Sequence, residues 1–314
     1  MAKRSYFGLS LPILIGIAII FLALVVIGFL AGPIGKNMFG DVGLPSWLSV
    51  PPPDPHLPAP VLFHIFGLPI TNSILASWLT VIVLVLICYF ATRRMNTVPG
   101  RFQIAFEFLL GWIYDLCQGI AGEKNGRRFF PVIATIFLFV AFNAWLSLIP
   151  GFGSILFEHH ELLRGANTDV NTPLAIALIS FVFVEYYGLK TLGIWYLRKF
   201  INIGQFFRSI GQVSKGKVKG GLSGLFSGVV DIFVGVLELL SELIRIVSFT
   251  FRLFGNMTAG EILIFIVAFL VPLAVNWLVY GLEMLVGLVQ ALIFSGLTLV
   301  FVTMAVSSHE EESH

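Results

Sequence analysis

Charge is scarce in this sequence. Asp, Glu, Lys and Arg make up 11% of the 314 residues and leave a net charge of +2. So small a surplus excludes the basic surface of a nucleic-acid-binding protein. Cysteine is nearly absent as well. Cys88 lies inside an apolar run and Cys117 in a polar connection, which rules out a disulfide framework and a paired CxxC metal site. No GxxxxGK[ST] segment occurs, so nucleotide chemistry of the P-loop kind is excluded. There is no 20-to-50-residue repeat, which sets solenoids aside. What the chain has in excess is apolar surface: 57% of residues are hydrophobic and mean hydropathy is +0.95. Several separate apolar runs approach or exceed the length that crosses about 30 Å of hydrocarbon. The expected class is an all-α integral membrane protein with about six hydrophobic helices.

The first run, residues 9–32, follows Lys3 and Arg4, a pattern shared by signal peptides and membrane anchors. An anchor is the better reading, because the apolar core is long and Phe29 and Leu30 stand where a cleavage site wants small residues. Residues 33–72 are rich in Pro and Gly, with PPPDPHLPAP at 51–60, and read as an extended extracytoplasmic segment. Residues 1–72 thus form one region, and 73–314 the membrane domain. A second span, 73–91, ends at Arg93 and Arg94, which the positive-inside rule makes cytoplasmic. The connection 92–128 contains six Lys or Arg and the amphipathic stretch FQIAFEFLLGWIYDLC, expected to lie along the inner surface. Spans at 131–151 and 173–190 follow, separated by a polar loop with Glu158, His159, His160, Glu161, Arg164 and Asp169. Seven basic residues between 190 and 219 again mark the cytoplasmic side. Two long helices, about 225–270 and 276–306, complete the chain before a polar, cytoplasmic tail. The first of these would run about 65 Å, too long to stand upright in one bilayer, so it must tilt, break or curve.

That helix holds the most informative pattern. Glu238, Glu242, Arg245, Phe249, Arg252 and Asn256 follow one another at intervals of four and three, which puts them on one face. Near the cytoplasmic end such a stripe is equally a solvated interfacial face. Arg252 is different: it lies about 10 Å further along and is followed by LFGNMTAG and ILIFIVAFL, where arginine costs at least about 2.5 kcal/mol. A guanidinium does not give up its proton and accepts no hydrogen bond, so it acts as a fixed positive charge that needs a carboxylate. Glu261 is nine residues on and half a turn around, out of reach in the same helix. Glu283 and Gln290 share a face of the last helix, but one is near its outer end and the other is neutral. No partner in the chain is evident, which points to another polypeptide. Gly255 and Gly260 leave a notch where a neighbouring helix could approach. Glu261 and Glu283, unlike the arginine, can take up and release protons, and together suggest a proton entry path or a structural hydrogen bond.

The segments FRLFGNMTAGE and LVQALIFSGLTLVFVTMA, with VPGRFQIAFE at 98–107, FNAWLSLIPG at 142–151 and NTDVNTPLAIAL at 167–178, resemble the a subunit of rotary ATP synthases. The likeness covers roughly residues 60–310. It implies a stator subunit that is non-catalytic by itself, carries no cofactor, sits in the cell or inner membrane and works with a c-ring, b-type peripheral stalk subunits and the rest of the complex. Arg252 would be the essential stator arginine that faces the carboxylate of each passing c subunit, between two offset aqueous half-channels. Asn256, Glu261, Glu283 and Gln290 would be outer half-channel or ring-facing residues. Glu238 and Glu242 would belong to the inner half-channel, with Asn143, Asp169 and Asn171 as further outer-side candidates. Some family members have histidine where this chain has Glu283. The resemblance also implies that the last two helices lie steeply tilted along the ring.

The main rival is a proton-coupled secondary transporter or channel, which would call for paired discontinuous helices in two halves, whereas only one charged hairpin is found. A purely structural membrane subunit would leave Arg252 unexplained. The EHHE run at 158–161 has metal-ligand chemistry, but adjacent histidines on a loop are more often a solvated surface.

Overall fold

The computed structural model describes the whole chain except residues 1–4, 7–8, 41–42, 46–47, 54–58, 94–99, 150–151, 153–154, 158–159, 194–195, 197–217 and 308–314. Arg94, part of the proline-rich stretch, half of the EHHE run, nearly all of the basic segment before residue 218 and the polar tail therefore lie outside the described residues. The helices are α1 (Leu11–Ala31), α2 (Pro33–Phe39), α3 (Asn72–Thr92), α4 (Arg101–Ser147), α5 (Asn171–Leu192), α6 (Val218–Leu270) and α7 (Ala274–Ser307). Six of them are long and apolar enough to cross a membrane. Their burial supports the same conclusion. On α1, Ile13, Ile17, Ile19 and Leu22 are all at least half exposed, a face that water would penalise and lipid would not.

Among the described residues the strands form three small antiparallel hairpins: β1 (Ser5–Tyr6) with β2 (Leu9–Ser10), β3 (Val61–Ile65) with β4 (Leu68–Thr71), which is the largest, and β5 (Leu156–Phe157) with β6 (His160–Glu161). Their turn is Phe66–Gly67, both with positive φ, 51° and 82°, the arrangement of a two-residue turn matched to strand twist. Residues 33–72 are thus not simply extended: a short helix and this hairpin occupy part of them. Thr71 then caps α3, its Oγ1 accepting from Ile74 N at 3.4 Å.

The chain divides into two units, one of Met1–Ala76, Asn143–Asp169 and Gly255–Val289, the other of Ser77–Phe142, Val170–Phe254 and Gln290–His314. In the first, α1 meets the turn after α6. Gly28 and Gly32 face the carbonyls of Pro272 and Leu270 so closely that a Cβ at either would overlap the oxygen. A glycine at every fourth position is what permits such an approach. Leu273 in that turn has a φ of 82°, an unusual conformation that reverses the chain over three residues.

In the second unit α4 breaks at Gly122 (φ 74°, ψ 167°), and the segment before the break folds back on the one after it. Trp112 stacks edge-on with Phe137 and Tyr114 with Phe130. The break separates the expected surface helix from the expected span. Cys117, which sequence placed in a polar connection, is fully buried at this fold-back. Phe129 packs with Phe183 and Tyr187 of α5, and Ser180 and Thr298 share a buried hydrogen bond of 2.7 Å. The α6 helix carries no break, so the length that sequence could not fit upright in a bilayer is present as one continuous helix.

Candidate functional site

The charged stripe of α6 turns inward in the second unit. Glu242 and Phe249 are buried and Glu238, Arg245 and Arg252 half-buried, while Leu237, Leu239, Leu243, Val247 and Phe251 between them are exposed. Phe249 packs on Phe294 and Phe301 of α7, at 4.7 and 6.1 Å between ring centroids. That seam fixes which face of α6 looks away from lipid. The interfacial reading of the lower stripe gives way to a packed one. Arg245 forms an ion pair of 2.6 Å with Glu242 and lies 3.7 Å above the Phe301 ring, so its charge is compensated twice. Glu185 and Tyr196, absent from the residues picked by helical spacing, add to this cluster: Tyr196 donates to Glu185 Oε1 at 3.2 Å. Burial, and after it the Glu185 carboxyl, pushes the Tyr196 hydroxyl well above its usual range, so it remains a donor.

Arg252 is treated otherwise. Its nearest polar contact is Ser248 Oγ at 3.5 Å, the long limit of a hydrogen bond, and its guanidinium lies 5.9 Å from the Phe249 ring. Among the described residues of its unit, no carboxylate pairs with it. Gln290, in the same unit, is buried, and Asn171 opens α5.

The first unit holds a cavity of about 80 Å³. Its polar lining includes Asn143 from α4, Glu161, Arg164 and Asn167 from the loop that follows, Glu261 from α6, and Tyr280 and Glu283 from α7. Sequence reasoning named Asn143, Glu261 and Glu283, and the fold brings all three to this one place. The loop is anchored at two points on the start of α3: Asn72 donates to Glu161 O at 3.2 Å and Ser73 to Asp169 Oδ2 at 2.9 Å. Asp169 is therefore engaged in anchoring the loop and is not part of the cavity wall. Between the anchors a short turn, Ala166–Thr168, is closed by Thr168 Oγ1 donating to Gly165 O at 2.7 Å. This turn delivers Arg164 to Glu261. Its Nε contacts both carboxylate oxygens at 3.1 Å and its Nη2 the Oε2 at 2.9 Å.

Glu283 sits opposite in a confined position. Trp145 Nε1 donates to Met284 O at 3.1 Å, tying α4 to α7 beside it. Its carboxyl rests against the Cα of Gly260, where any side chain would collide with it. The Gly260 notch is thus filled by this chain's own glutamate, whereas Gly255 is open. Glu261 and Glu283 are not joined by the hydrogen bond that sequence allowed: Glu261 turns both oxygens to Arg164, and Glu283 bonds to no described residue. Asn143 Nδ2 and both polar atoms of the Asn167 side chain are buried at the cavity without a protein partner. Buried amides of this kind bind water, and the volume accommodates several molecules. The arrangement can hold water against one clamped and one unclamped carboxyl. Arg164 and Asn167 escaped the helical-spacing argument because they sit on a loop almost 100 residues from Glu261.

Comparison with known proteins identifies the family. Residues 74–303 match the ATP synthase A chain family model. The chain is 30% identical over 241 residues to an ATP synthase subunit a of Gloeobacter violaceus, covering 76% of this chain and 85% of that one. It is also 30% identical over 254 residues to "ATP synthase subunit a 2" of a Bradyrhizobium species, covering 80% and 96%. With a Moorella thermoacetica subunit a it shares 27% identity over 248 residues, covering 79% and 96%. This multi-pass membrane chain belongs to the ATP synthase A chain family, stator subunits of the F-type membrane sector that are not catalytic by themselves.

Proposed function

We propose that the chain carries protons past a rotating ring of c subunits, with Arg252 as the fixed charge that each c-subunit carboxylate meets in turn. The observation that carries this reading is the state of Arg252: half-buried, midway along an apolar helix, and paired with no described carboxylate of its own unit. A guanidinium in that position needs a counter-charge. A mobile carboxylate on another polypeptide supplies one, and the arginine then attracts the ionised form of each arriving group while refusing passage to a free proton.

The cavity around Asn143, Glu261 and Glu283 serves as the outer half-channel, with Asn256 and Gln290 toward the ring. Glu238 and Glu242 serve the inner one. The reading places the chain in the cell membrane with its C-terminus cytoplasmic and b-type stalk subunits holding it still. Summation by a ring fits the energetics, since one charge crossing 100 mV releases about 2.3 kcal/mol, too little alone for ATP synthesis. The test is Arg252→Ala in the complete complex, in membrane vesicles. Proton-driven ATP synthesis should vanish while the complex still assembles; synthesis at the wild-type rate would refute the assignment.

A further inference from the structure

We propose that Arg164 is a positioning residue that holds Glu261 as a fixed counter-charge, leaving Glu283 as the carboxyl that exchanges protons with the cavity. The inference rests on the proton-carrying reading above and deepens it. The titratable or charged groups that face this cavity are Glu161, Arg164, Glu261, Tyr280 and Glu283. Two of them are locked together. Three N–H···O contacts between 2.9 and 3.1 Å join Arg164 to both oxygens of Glu261, with the arginine 8% and the glutamate 19% exposed. A two-point pair of this geometry is the strong form of the interaction. Protonating Glu261 would weaken these contacts and leave a permanently charged, buried arginine without its counter-ion.

Glu283 has the opposite surroundings. It is 8% exposed, lines the same cavity, and makes no hydrogen bond to any described residue. The partnerless amide atoms of Asn143 and Asn167 supply polar sites for water on the same wall. A carboxyl that faces water and is held by no cation can bind and release a proton without breaking anything. Glu261 serves differently. With its charge neutralised by Arg164, it keeps the cavity polar without competing for the proton.

The experiment uses vesicles containing the whole complex, with passive proton conduction measured after the soluble sector is stripped, as a function of pH. Glu283→Gln should lower conduction at least ten-fold. Arg164→Gln frees Glu261, so conduction should fall and its pH profile should change from one titrating step to two. In the double variant Arg164→Gln/Glu261→Gln the single-step profile should return and part of the lost conduction with it, and Arg164→Lys should fall between wild type and Arg164→Gln. Wild-type conduction by Glu283→Gln, or a double variant that conducts no better than Arg164→Gln, overturns the proposal. Should Arg164→Gln fail to assemble, Glu283→Gln alone decides. Arg252→Ala in vesicles that keep the soluble sector separates the two readings: normal ATP synthesis there sinks the proton-carrying function itself, whereas loss of synthesis with a failed double variant sinks only the division of labour between the glutamates.

Discussion

The contact between Gly260 and Glu283 offers a perturbation whose size can be worked out. Replacing Gly260 with Ala places a methyl group 2.7 Å from Glu283 Oε1 and closer still to Oε2 and Cδ. Ordinary contact needs about 3.5 Å, so the nearest carboxyl atom must retreat by about 1.5 Å. It is the end of a flexible side chain, so the retreat is a rotation. Moving a side chain off its preferred rotamer costs about 0.5–1.5 kcal/mol, and overpacking by one methyl about 1–3 kcal/mol. Against a stability of about 5–15 kcal/mol, the chain still folds. Function is more sensitive: a reacting group misplaced by about 1 Å can lose on the order of a hundredfold in rate. Gly260→Ala should therefore reduce ATP-driven proton pumping by ten-fold or more per assembled complex, with complex content nearly unchanged. Gly281→Ala, two residues from Glu283 but facing open space, is the matched control and should be close to neutral. Pumping per complex at the wild-type rate in Gly260→Ala would refute the claim that the position of Glu283 matters.

Two further outcomes follow from the packing. Gly28→Leu and Gly32→Leu each drive a side chain into a backbone carbonyl that cannot rotate away, so each should lower the thermal midpoint of the purified chain, by about 1–3 kcal/mol in stability, as overpacking does. The same substitution at Gly16, which meets nothing within 4 Å, should leave the midpoint in place. The Tyr196 hydroxyl is raised by burial and by Glu185, so the unfolded chain ionises first as pH climbs. The stability it contributes is full below about pH 10, the usual tyrosine value, and falls above it, because the unfolded state then holds fewer protons than the folded one. Thermal midpoints between pH 9 and 11 should decline less in Tyr196→Phe than in the wild type, and parallel declines would contradict the assignment.

The helices were legible in the sequence because the membrane imposes a simple rule on length and polarity. The run read at 73–91 is Asn72–Thr92 in the structure, that at 173–190 is Asn171–Leu192, and that at 276–306 is Ala274–Ser307. Helical spacing also grouped the α6 stripe correctly. What it could not convey is side-chain pairing across long separations: Arg164 and Glu261 meet through a loop held to α3 by Asn72 and Ser73. The β3–β4 hairpin was hidden for a different reason. Phe66, a bulky residue, occupies the left-handed region where Asn or Gly is the usual signal, and the flanking strand residues are mostly exposed on both faces. The Gly260 notch was read as a seat for another helix because glycine spacing states only that something comes close, not what it is.

Three arginines in this chain face the same problem of charge with little water, and the way each is handled bears on function. Arg164 is held by Glu261 through both oxygens, and Arg245 by Glu242 and a phenylalanine ring. Two of the three are thus settled within their own unit by side chains that packing holds in place. The third could have been settled as cheaply: α6 presents residues 248 and 256 one turn either side of Arg252, and a carboxylate at either would pair with it at helical spacing. The sequence has Ser248 and Asn256 there, both uncharged. A carboxylate at 256 would neutralise Arg252 permanently and leave nothing for a visiting charge to bind. Asn256→Asp is accordingly the substitution by which the chain would silence itself, and it should lower proton-driven ATP synthesis nearly as far as Arg252→Ala while the complex assembles normally. An Asn256→Asp complex that made ATP at the wild-type rate would mean that the unpaired state of Arg252 has no part in coupling.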